Sequence, residues 1–384
     1  MDIPERVDAV VIGGGVMGAS VAHHLCRGGC SRVLLVDRER LFGSQSTGKC
    51  AGGVRHQFDS EINVKLSLLS LQMLARFESE LAQPLATRRC GYLFVLTAER
   101  DLPEFHRQVQ MQRKLGVRTE WLDGDEVRRR LPSFSFPDAL AGTWGPDDGL
   151  ADPAGVVQGY IRSARRLGAR CLNDVEVLGI ESTSGRISAV QTTAGRVHTP
   201  VVVNAAGAWA GRIGAMAGIE VPVTPVRRQI AVTTPVPALP PDLPFVIDFT
   251  HRLYFHREGA AVLTGMSKPD EPGGFVTTVD PAWELVHLEA ACARMPLLEQ
   301  VGVQSRWAGL YENSPDAQPI LGATELTGFH CITGFSGHGF MHGPAAGLLV
   351  AEEILCGSAR TLDISELRLS RFRQGRACTE YNVV

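Results

Sequence analysis

A short apolar strand that runs into a glycine turn and then into a helix constrains this chain of 384 residues more than any other feature. Residues 8–20 read DAVVIGGGVMGAS, which spaces the turn as Gly13-x-Gly15-x-x-Gly18. The first two glycines let the backbone approach a phosphate, the helix N-terminus supplies free N–H groups, and Gly18 permits close packing of helix and strand. A second strand, residues 32–37, ends in Asp37, whose carboxylate can accept a hydrogen bond from a ribose hydroxyl. This order predicts a dinucleotide-binding βαβ unit.

Length, charge and cysteine usage narrow the class of protein. A chain of 384 residues with a net charge of −3 predicts two interleaved domains and has no basic footprint for nucleic acid or an anionic membrane. Residues 1–6 leave no room for a signal peptide, and the glycine-broken apolar run 9–22 is too short for a membrane span. Nine irregularly spaced cysteines form no CxxC metal pair. We therefore expect a cytoplasmic protein without a metal site, membrane span or nucleic-acid partner.

Helix and hairpin signals occur at several places along the chain. Apolar residues at spacings of three and four predict an amphipathic helix over residues 61–82. An Asp-Pro start signal predicts one helix over residues 153–168 and another over residues 281–293. Two alternating stretches, residues 175–180 and 187–192, are joined by Ser-Gly and predict a β-hairpin.

The remaining strand signals predict how the domains are interleaved. The continuous apolar run 201–207 is typical of a buried parallel strand that returns the chain to the nucleotide-binding sheet. The strand-like segments 91–96, 221–232 and 253–265 contain or adjoin prolines and favour an inserted antiparallel domain. We predict an α/β protein, with a discontinuous Rossmann-like domain and an inserted, mainly antiparallel β substrate domain with flanking helices. The first domain would contain residues 1–85, 145–220 and 305–384, and the second residues 86–144 and 221–304.

Four further motifs follow the glycine turn in a characteristic order. They are STGKCAGGVRHQF at residues 46–58, VNAAGAW at 203–209, NSPDAQPILG at 313–322 and GFSGHGFM at 334–341. Together they resemble the FAD-dependent amine oxidoreductases of the D-amino-acid oxidase superfamily over nearly the whole chain. Within that superfamily the chain is similar to the sarcosine oxidase β-subunit and L-proline dehydrogenase β-subunit branch, with glycine oxidase and monomeric sarcosine oxidase as relatives.

The resemblance implies an FAD site built from these motifs. Small residues of the loops can lie against a flat ring or a pyrophosphate, and the helix that follows Gly337 would face the flavin where negative charge accumulates on reduction. The expected FAD-binding residues are Gly13, Gly15, Val16, Met17, Gly18, Asp37, Arg38, Ser44, Ser46, Thr47, Lys49, Cys50, Ala51, Gly52, Gly53, Val175, Ala205, Ala206, Gly207, Trp209, Gly309, Tyr311, Gly337, His338, Gly339, Phe340 and Met341.

Five residues are candidates for contact with the substrate. Arg55 follows the glycine pair 52–53 and can bind a carboxylate bidentately, although a pairing with a nearby acid is the alternative. His56 and His338 could assist a neutral amine or simply bond to backbone. Tyr254 and His256 fall on the same side of a predicted strand, either facing the flavin or packing across strands.

Departures from the relatives' pattern carry information of their own. Monomeric sarcosine oxidases have a lysine where this chain has Met341, and a cysteine that attaches FAD where this chain has Gly309. Dimethylglycine-type relatives attach FAD through a histidine near Cys50. Noncovalent FAD is therefore expected. Arg252 aligns at or near the lysine that activates oxygen in the relatives, and because its charge is diffuse we expect weak oxygen use.

The resemblance implies oxidation of a C–N bond in a secondary or N-substituted amino acid, proline- or sarcosine-like, by hydride transfer to flavin N5. A dehydrogenase is favoured over an oxidase. The alternatives are a D-amino-acid or other amine oxidase of the same fold, and a flavoprotein subunit or assembly factor with little activity alone. The expected partners are an amine or amino-acid substrate, an electron acceptor (quinone, dye or oxygen) and a homo- or hetero-oligomer.

Overall fold

The computed structural model describes residues 3–383. Over that range the chain alternates between short strands and helices. The strands, in chain order, are β1 Ala9–Ile12, β2 Val33–Val36, β3 Gly53–Val54, β4 Thr87–Arg88, β5 Tyr92–Leu96, β6 Glu120–Asp123, β7 Ala141–Gly145, β8 Gly149–Ala151, β9 Arg170–Leu172, β10 Val177–Thr183, β11 Arg186–Thr192, β12 Gly195–His198, β13 Val202–Asn204, β14 Thr224–Thr233, β15 Phe245–Asp248, β16 Leu253–Glu258, β17 Ala261–Met266, β18 Val303–Asn313, β19 Ile320–Ala323 and β20 Phe329–Thr333.

Ten α-helices are formed by the described residues. They are α1 Val16–Arg27, α2 Glu61–Ala75, α3 Phe77–Leu81, α4 Leu102–Lys114, α5 Gly124–Arg130, α6 Pro153–Arg166, α7 Ala210–Met216, α8 Pro281–Arg294, α9 Gly339–Cys356 and α10 Ser370–Arg373. None of the helices in residues 3–383 combines the length and the apolar character that a membrane crossing requires.

The first large sheet has six strands in the order β19-β20-β13-β1-β2-β9. All neighbours are parallel except β19 and β20. Its central strands are apolar and buried along their whole length, as expected where helices cover both faces. The predicted return of the chain is confirmed, because β13 pairs with β1 through Val202 and Val10.

The second large sheet has eight strands in the order β18-β14-β17-β16-β15-β5-β7-β6. Its neighbours are antiparallel except for β15 and β5. One face carries Tyr92, Phe245 and Tyr254 in an aromatic-rich cluster, while the other packs against α8. Smaller sheets join β10-β11-β12 and β3-β8-β4. The predicted α/β fold is confirmed. The domain boundaries stay a prediction, and β18 pairs with β14 although its residues fall mostly in the predicted first domain.

The local signals agree closely with the observed elements. Asp152 and Asp280 each accept a backbone hydrogen bond at the start of α6 and α8, 3.0 and 3.1 Å from the N–H two residues on. Ser184 and Gly185, with φ of 51° and 73°, form the turn of the β10–β11 hairpin. The single helix predicted over residues 61–82 is wrong in one detail, because it breaks at Arg76 into α2 and α3.

Candidate active site

A large cavity, partly open to solvent, lies where the two large sheets meet. The glycine turn and the ends of β1, β2 and β13 form one wall, and the aromatic face of the eight-stranded sheet forms the opposite wall. Every residue predicted for the site lines this cavity except Gly18, His56, Arg252 and His256. Four of the five sequence motifs therefore converge on one place, and the motif at residues 313–322 supplies none of the lining residues.

The glycine turn has the shape that a phosphate needs. Gly13 has a φ of +108°, and a Cβ there would collide with the carbonyl oxygen of Ala205. Gly15 is the N-cap of α1 and brings no side chain to cap the helix, so the helix start faces the cavity. Gly18 does not line the cavity; a Cβ there would collide with the Gly13 carbonyl, so its role is packing.

Asp37 stands just after β2, at the rim of this turn. Its Oδ2 accepts a hydrogen bond from the Gly14 N–H at 2.6 Å, and its Oδ1 accepts one from the Glu39 N–H at 2.8 Å. Burial raises the pKa of this carboxyl despite those bonds. Each oxygen still has a lone pair for a ribose hydroxyl, so the position suits the predicted role.

The loop of residues 44–53 is tied to both walls of the cavity. Ser46 donates to the Leu310 carbonyl at 2.7 Å, and the Trp307 indole donates to the Lys49 carbonyl at 2.9 Å. Thr47 accepts from the Val16 N–H at 3.2 Å, which links the loop to the start of α1. These bonds hold small residues of the loop against the cavity.

The last glycine-rich motif closes the cavity from the side of α9. Gly337 has a φ of +102°, and a Cβ there would strike the Tyr311 ring. His338 is bonded at both ring nitrogens, to His342 Nδ1 at 3.2 Å and to the Ala317 carbonyl at 3.0 Å. Burial lowers the pKa of His338 to about 4, so the ring is neutral at ordinary pH. A neutral imidazole whose two nitrogens are both hydrogen-bonded positions the loop and is poorly placed to act as a base.

Arg55 lies in the cavity wall with its guanidinium fully enclosed. It donates to the backbone carbonyls of Gln57 and Asn382, the latter at 2.6 Å, and its guanidinium carbon lies 3.8 Å from the Phe58 ring centroid. Within residues 3–383 it forms no ion pair, and burial lowers its pKa. The neutral carbonyls orient the guanidinium, and no carboxylate among the described residues forms a direct ion pair with it, which leaves it available to an anion.

Three of the predicted catalytic residues lie outside the cavity. His56 is bound to the buried Asp148, with 2.7 Å between Nδ1 and Oδ1. His256 stacks on Phe245 with ring centroids 5.2 Å apart, and burial lowers its pKa to about 4. Arg252 is exposed in the turn before β16 and has a φ of 50°. Their assignment to the site stays a prediction that the cavity lining does not support.

Several lining residues were absent from the sequence prediction. They include Arg228 and Ile230 on β14, Glu312 at the end of β18, and the wall residues Tyr92, Phe245, Ile247 and Val383. A charged residue inside an otherwise buried strand, as Arg228 is, was the available signal.

Glu312 predicts a measurable pH dependence of stability. Its carboxylate accepts from the Thr333 hydroxyl at 3.0 Å and from the Phe335 N–H at 3.4 Å, yet burial raises its pKa from 4.5 to about 7. Between pH 4.5 and about pH 7 the Glu312 carboxyl is ionised in the unfolded chain but still protonated in the folded protein. The free energy of unfolding therefore falls as pH rises through this range. With a discount for the solvent that reaches the cavity, the loss is on the order of 1 kcal/mol.

Glu312→Gln should flatten this part of the pH profile. Urea midpoints of both proteins from pH 4.5 to pH 8 measure the difference. Parallel profiles for the two proteins would show that Glu312 does not keep its proton in the folded state.

The cradle as a whole fits a dinucleotide such as FAD. The uncapped start of α1, the space above Gly13 and Gly15, and the Asp37 carboxylate match a pyrophosphate and a ribose. The loop of residues 44–53 and the Gly337 segment bound the part of the cavity next to the aromatic wall, where a flavin would lie.

Comparison with protein families agrees with this geometry. The DAO family, described as FAD dependent oxidoreductase, matches residues 8–353. The chain is 32% identical over 429 residues to FAD-dependent oxidoreductase domain-containing protein 1 of Bos taurus, covering 99% of this chain and 88% of that protein. It is 30% identical over 372 residues to the mitochondrial sarcosine dehydrogenase of Mus musculus, covering 92% of this chain and 40% of that protein. The chain thus spans about two fifths of the sarcosine dehydrogenase.

Solved structures show the same fold over almost the full length. L-proline dehydrogenase from P. horikoshii superposes with a TM-score of 0.90 at 31% identity, covering 97% of this chain and 99% of that one. Glycine oxidase from Geobacillus kaustophilus gives 0.85 at 25% identity, covering 96% and 99%. With a family match over most of its length and a cradle shaped for the cofactor, this chain belongs to the DAO family of FAD-dependent oxidoreductases.

Proposed function

We propose that this protein is an FAD-dependent dehydrogenase that oxidises the C–N bond of a secondary or N-substituted amino acid. The observation that carries the proposal is Arg55, a buried guanidinium that faces the cavity without a carboxylate partner among the described residues. An amino acid would supply that carboxylate. The relatives include a sarcosine dehydrogenase and an L-proline dehydrogenase, which supports the same class of substrate.

The cavity residues would orient the amine. Arg55 would bind the carboxylate bidentately, and the aromatic side chains of Tyr92, Phe245 and Tyr254 would pack against the apolar part of the substrate and exclude water. When bound, FAD would accept a hydride from the carbon next to the nitrogen, which becomes an imine carbon. The hydroxyls of Tyr254 and Tyr311 make no hydrogen bond to residues 3–383, so they are available to the substrate.

Noncovalent attachment of FAD is part of the proposal. Gly309 offers no thiol, and a Cβ there would lie 3.1 Å from the Cβ of Lys49. Burial raises the pKa of the Cys50 thiol to about 11, which keeps it protonated and a weak nucleophile. Neither position therefore favours a bond to the flavin.

The preference for a dye or quinone over oxygen now has a different basis. Arg252 does not line the cavity, so we do not base this preference on its charge. The dehydrogenases among the relatives support the proposal instead. Because Arg252 is exposed and does not line the cavity, its replacement by lysine should leave oxygen use unchanged.

Anaerobic bleaching of the flavin by a panel of amines tests the proposed function. Proline, sarcosine and other N-alkyl amino acids should reduce the flavin at least tenfold faster than primary D-amino acids, and dye reduction should exceed peroxide formation in air. Faster reduction by D-amino acids would favour the oxidase alternative. A flavin that no amine bleaches would favour a subunit or assembly factor.

A further inference from the structure

A second arginine faces the same cavity from the opposite sheet. Arg228 lies on β14, directly opposite Gly309 of β18, and lines the cavity together with Ile230 two residues further along the strand. Because Gly309 has no side chain, nothing from the paired position covers the Arg228 side chain. The guanidinium therefore reaches the wall that bounds the substrate region.

The Arg228 guanidinium lacks the partners that a buried cation normally has. Its Nη1 donates to the Arg227 carbonyl at 2.9 Å, and its central carbon lies 5.1 Å from the Tyr311 ring centroid. Its Nε is buried and has no hydrogen-bond partner. Within the described part of the chain it forms no ion pair, and burial lowers its pKa. An unpaired buried charge is costly, which points to a partner that binds from outside.

The neighbouring residue on the same strand shows that acids are available locally. Arg227 projects to the other face of the sheet, where its Nε lies 2.8 Å from Glu271 and its Nη2 lies 3.4 Å from Asp280. Lys268 also pairs with Asp280, at 2.8 Å. These nearby carboxylates pair with Arg227 and Lys268, and within residues 3–383 neither forms an ion pair with Arg228. Arg227, on the other face of the sheet, therefore has carboxylate partners, whereas Arg228, on the cavity face, has none among the described residues.

Arg55 and Arg228 act on one region of the cavity. Both line it together with Tyr311, and the guanidinium carbon of Arg228 lies 5.1 Å from the Tyr311 ring centroid. Two unpaired arginines around one phenol exceed what a single substrate carboxylate needs, because one bidentate pair satisfies one carboxylate.

We propose that Arg228 binds a second acidic group of the substrate, so that the enzyme acts on an N-substituted amino acid with two carboxylates. This inference rests on the proposed function. Arg55 holds the carboxylate beside the reacting carbon, and Arg228 holds the carboxylate at the other end. The apolar and aromatic wall between them contacts the connecting carbon atoms.

The test compares each diacid with its own monoamide, which differs in one charge at nearly constant size. The holoenzyme is assayed with a dye and N-methyl-DL-aspartate, N-methyl-DL-glutamate and iminodiacetate, each beside its monoamide. At least one diacid should exceed its monoamide tenfold or more in kcat/KM. In Arg228→Met that preference should fall at least tenfold, and Arg228→Lys should retain part of it, because an ammonium keeps the charge but cannot form a bidentate pair.

Arg257→Met is the matched control, since Arg257 lies on β16 of the same sheet, donates to the Gly259 and Pro240 carbonyls and does not line the cavity. It should keep the diacid preference, and all variants should be checked for FAD content. Absence of a preference for every diacid, or an equal preference in Arg228→Met, would overturn the inference. A third outcome would also overturn the inference. If Arg228→Met loses FAD, and Arg228→Lys keeps FAD but loses the diacid preference, Arg228 serves the cofactor and not the substrate.

A redox-inert pair separates this inference from the proposed function. Calorimetric titration with succinate and with succinamate measures whether the cavity prefers two charges, without any turnover. Tighter succinate binding that depends on Arg228, with no amine oxidised, would sustain the anion site and reject the amine reaction. If amines are oxidised but neither succinate nor any diacid is preferred, the amine reaction is sustained and the second anion site is rejected.

Discussion

Gly15→Val should give a folded protein that has lost its FAD. Gly15 has a φ of −73°, which any residue adopts, and a Cβ there would meet only the Thr47 hydroxyl oxygen, at 3.2 Å. The fold therefore tolerates a side chain at this position. The cavity does not, because the added carbons fill the space through which a pyrophosphate would approach the start of α1. The purified variant should be colourless, with a far-UV spectrum like that of the wild type.

Two other glycines provide controls for this experiment. Gly179→Val places the same side chain on β10, where a Cβ would make an ordinary contact 3.8 Å from Gln191, and it should remain fully loaded with FAD. Gly18→Ala should instead destabilise the fold, because its Cβ would collide with the Gly13 carbonyl. If Gly15→Val retains one FAD per chain, the phosphates do not lie at this turn.

Replacing Arg55 by methionine should weaken substrate binding by about tenfold to a hundredfold while FAD content stays unchanged. A charge-assisted hydrogen bond contributes roughly 1.5–3 kcal/mol, and about 1.4 kcal/mol corresponds to a factor of ten in affinity. Methionine keeps most of the side-chain length and its packing against Phe58 but cannot bind a carboxylate. The substrate affinity of Arg55→Lys should lie between those of the wild type and Arg55→Met, because an ammonium group keeps the charge but cannot form a bidentate pair. The Michaelis constants of FAD-loaded proteins measure the effect.

Arg165→Met controls for the loss of an arginine that bonds to backbone. Arg165 donates to the Cys171 carbonyl at 3.0 Å and lies outside the cavity, so its removal should leave the Michaelis constant unchanged. A substrate analogue without the carboxylate should bind equally well to the wild type and to Arg55→Met. If Arg55→Met keeps a normal Michaelis constant, the role of Arg55 is to hold the carbonyls of Gln57 and Asn382.

Features that depend on a short stretch of chain were predictable from the sequence. The glycine turn needs a backbone that only glycine adopts at Gly13, and the Asp-Pro start of α8 supplies both a cap and a fixed φ. The hairpin at Ser184-Gly185 follows from turn chemistry in the same way. The break of the predicted helix at Arg76 was not visible, because no glycine or proline marks it.

The tertiary structure alone decided which polar side chains reach the cavity. Alternation places Tyr254 and His256 on one side of β16, yet only Tyr254 lines the cavity, because His256 lies further along the strand against Phe245. His56 follows Arg55 directly but turns to Asp148, a residue 92 positions away in the chain.

The sequence by itself determined the nucleotide-binding turn, the order of the motifs and the class of fold, since each is encoded by neighbouring residues. Arg228 lines the same cavity as Arg55, whereas Arg252 does not line it. The register of β14 against β18 and the meeting of the two large sheets decide this. Those relations depend on contacts between residues far apart in the chain. Periodicity specifies the face of a strand, whereas only the packed structure specifies what that face meets.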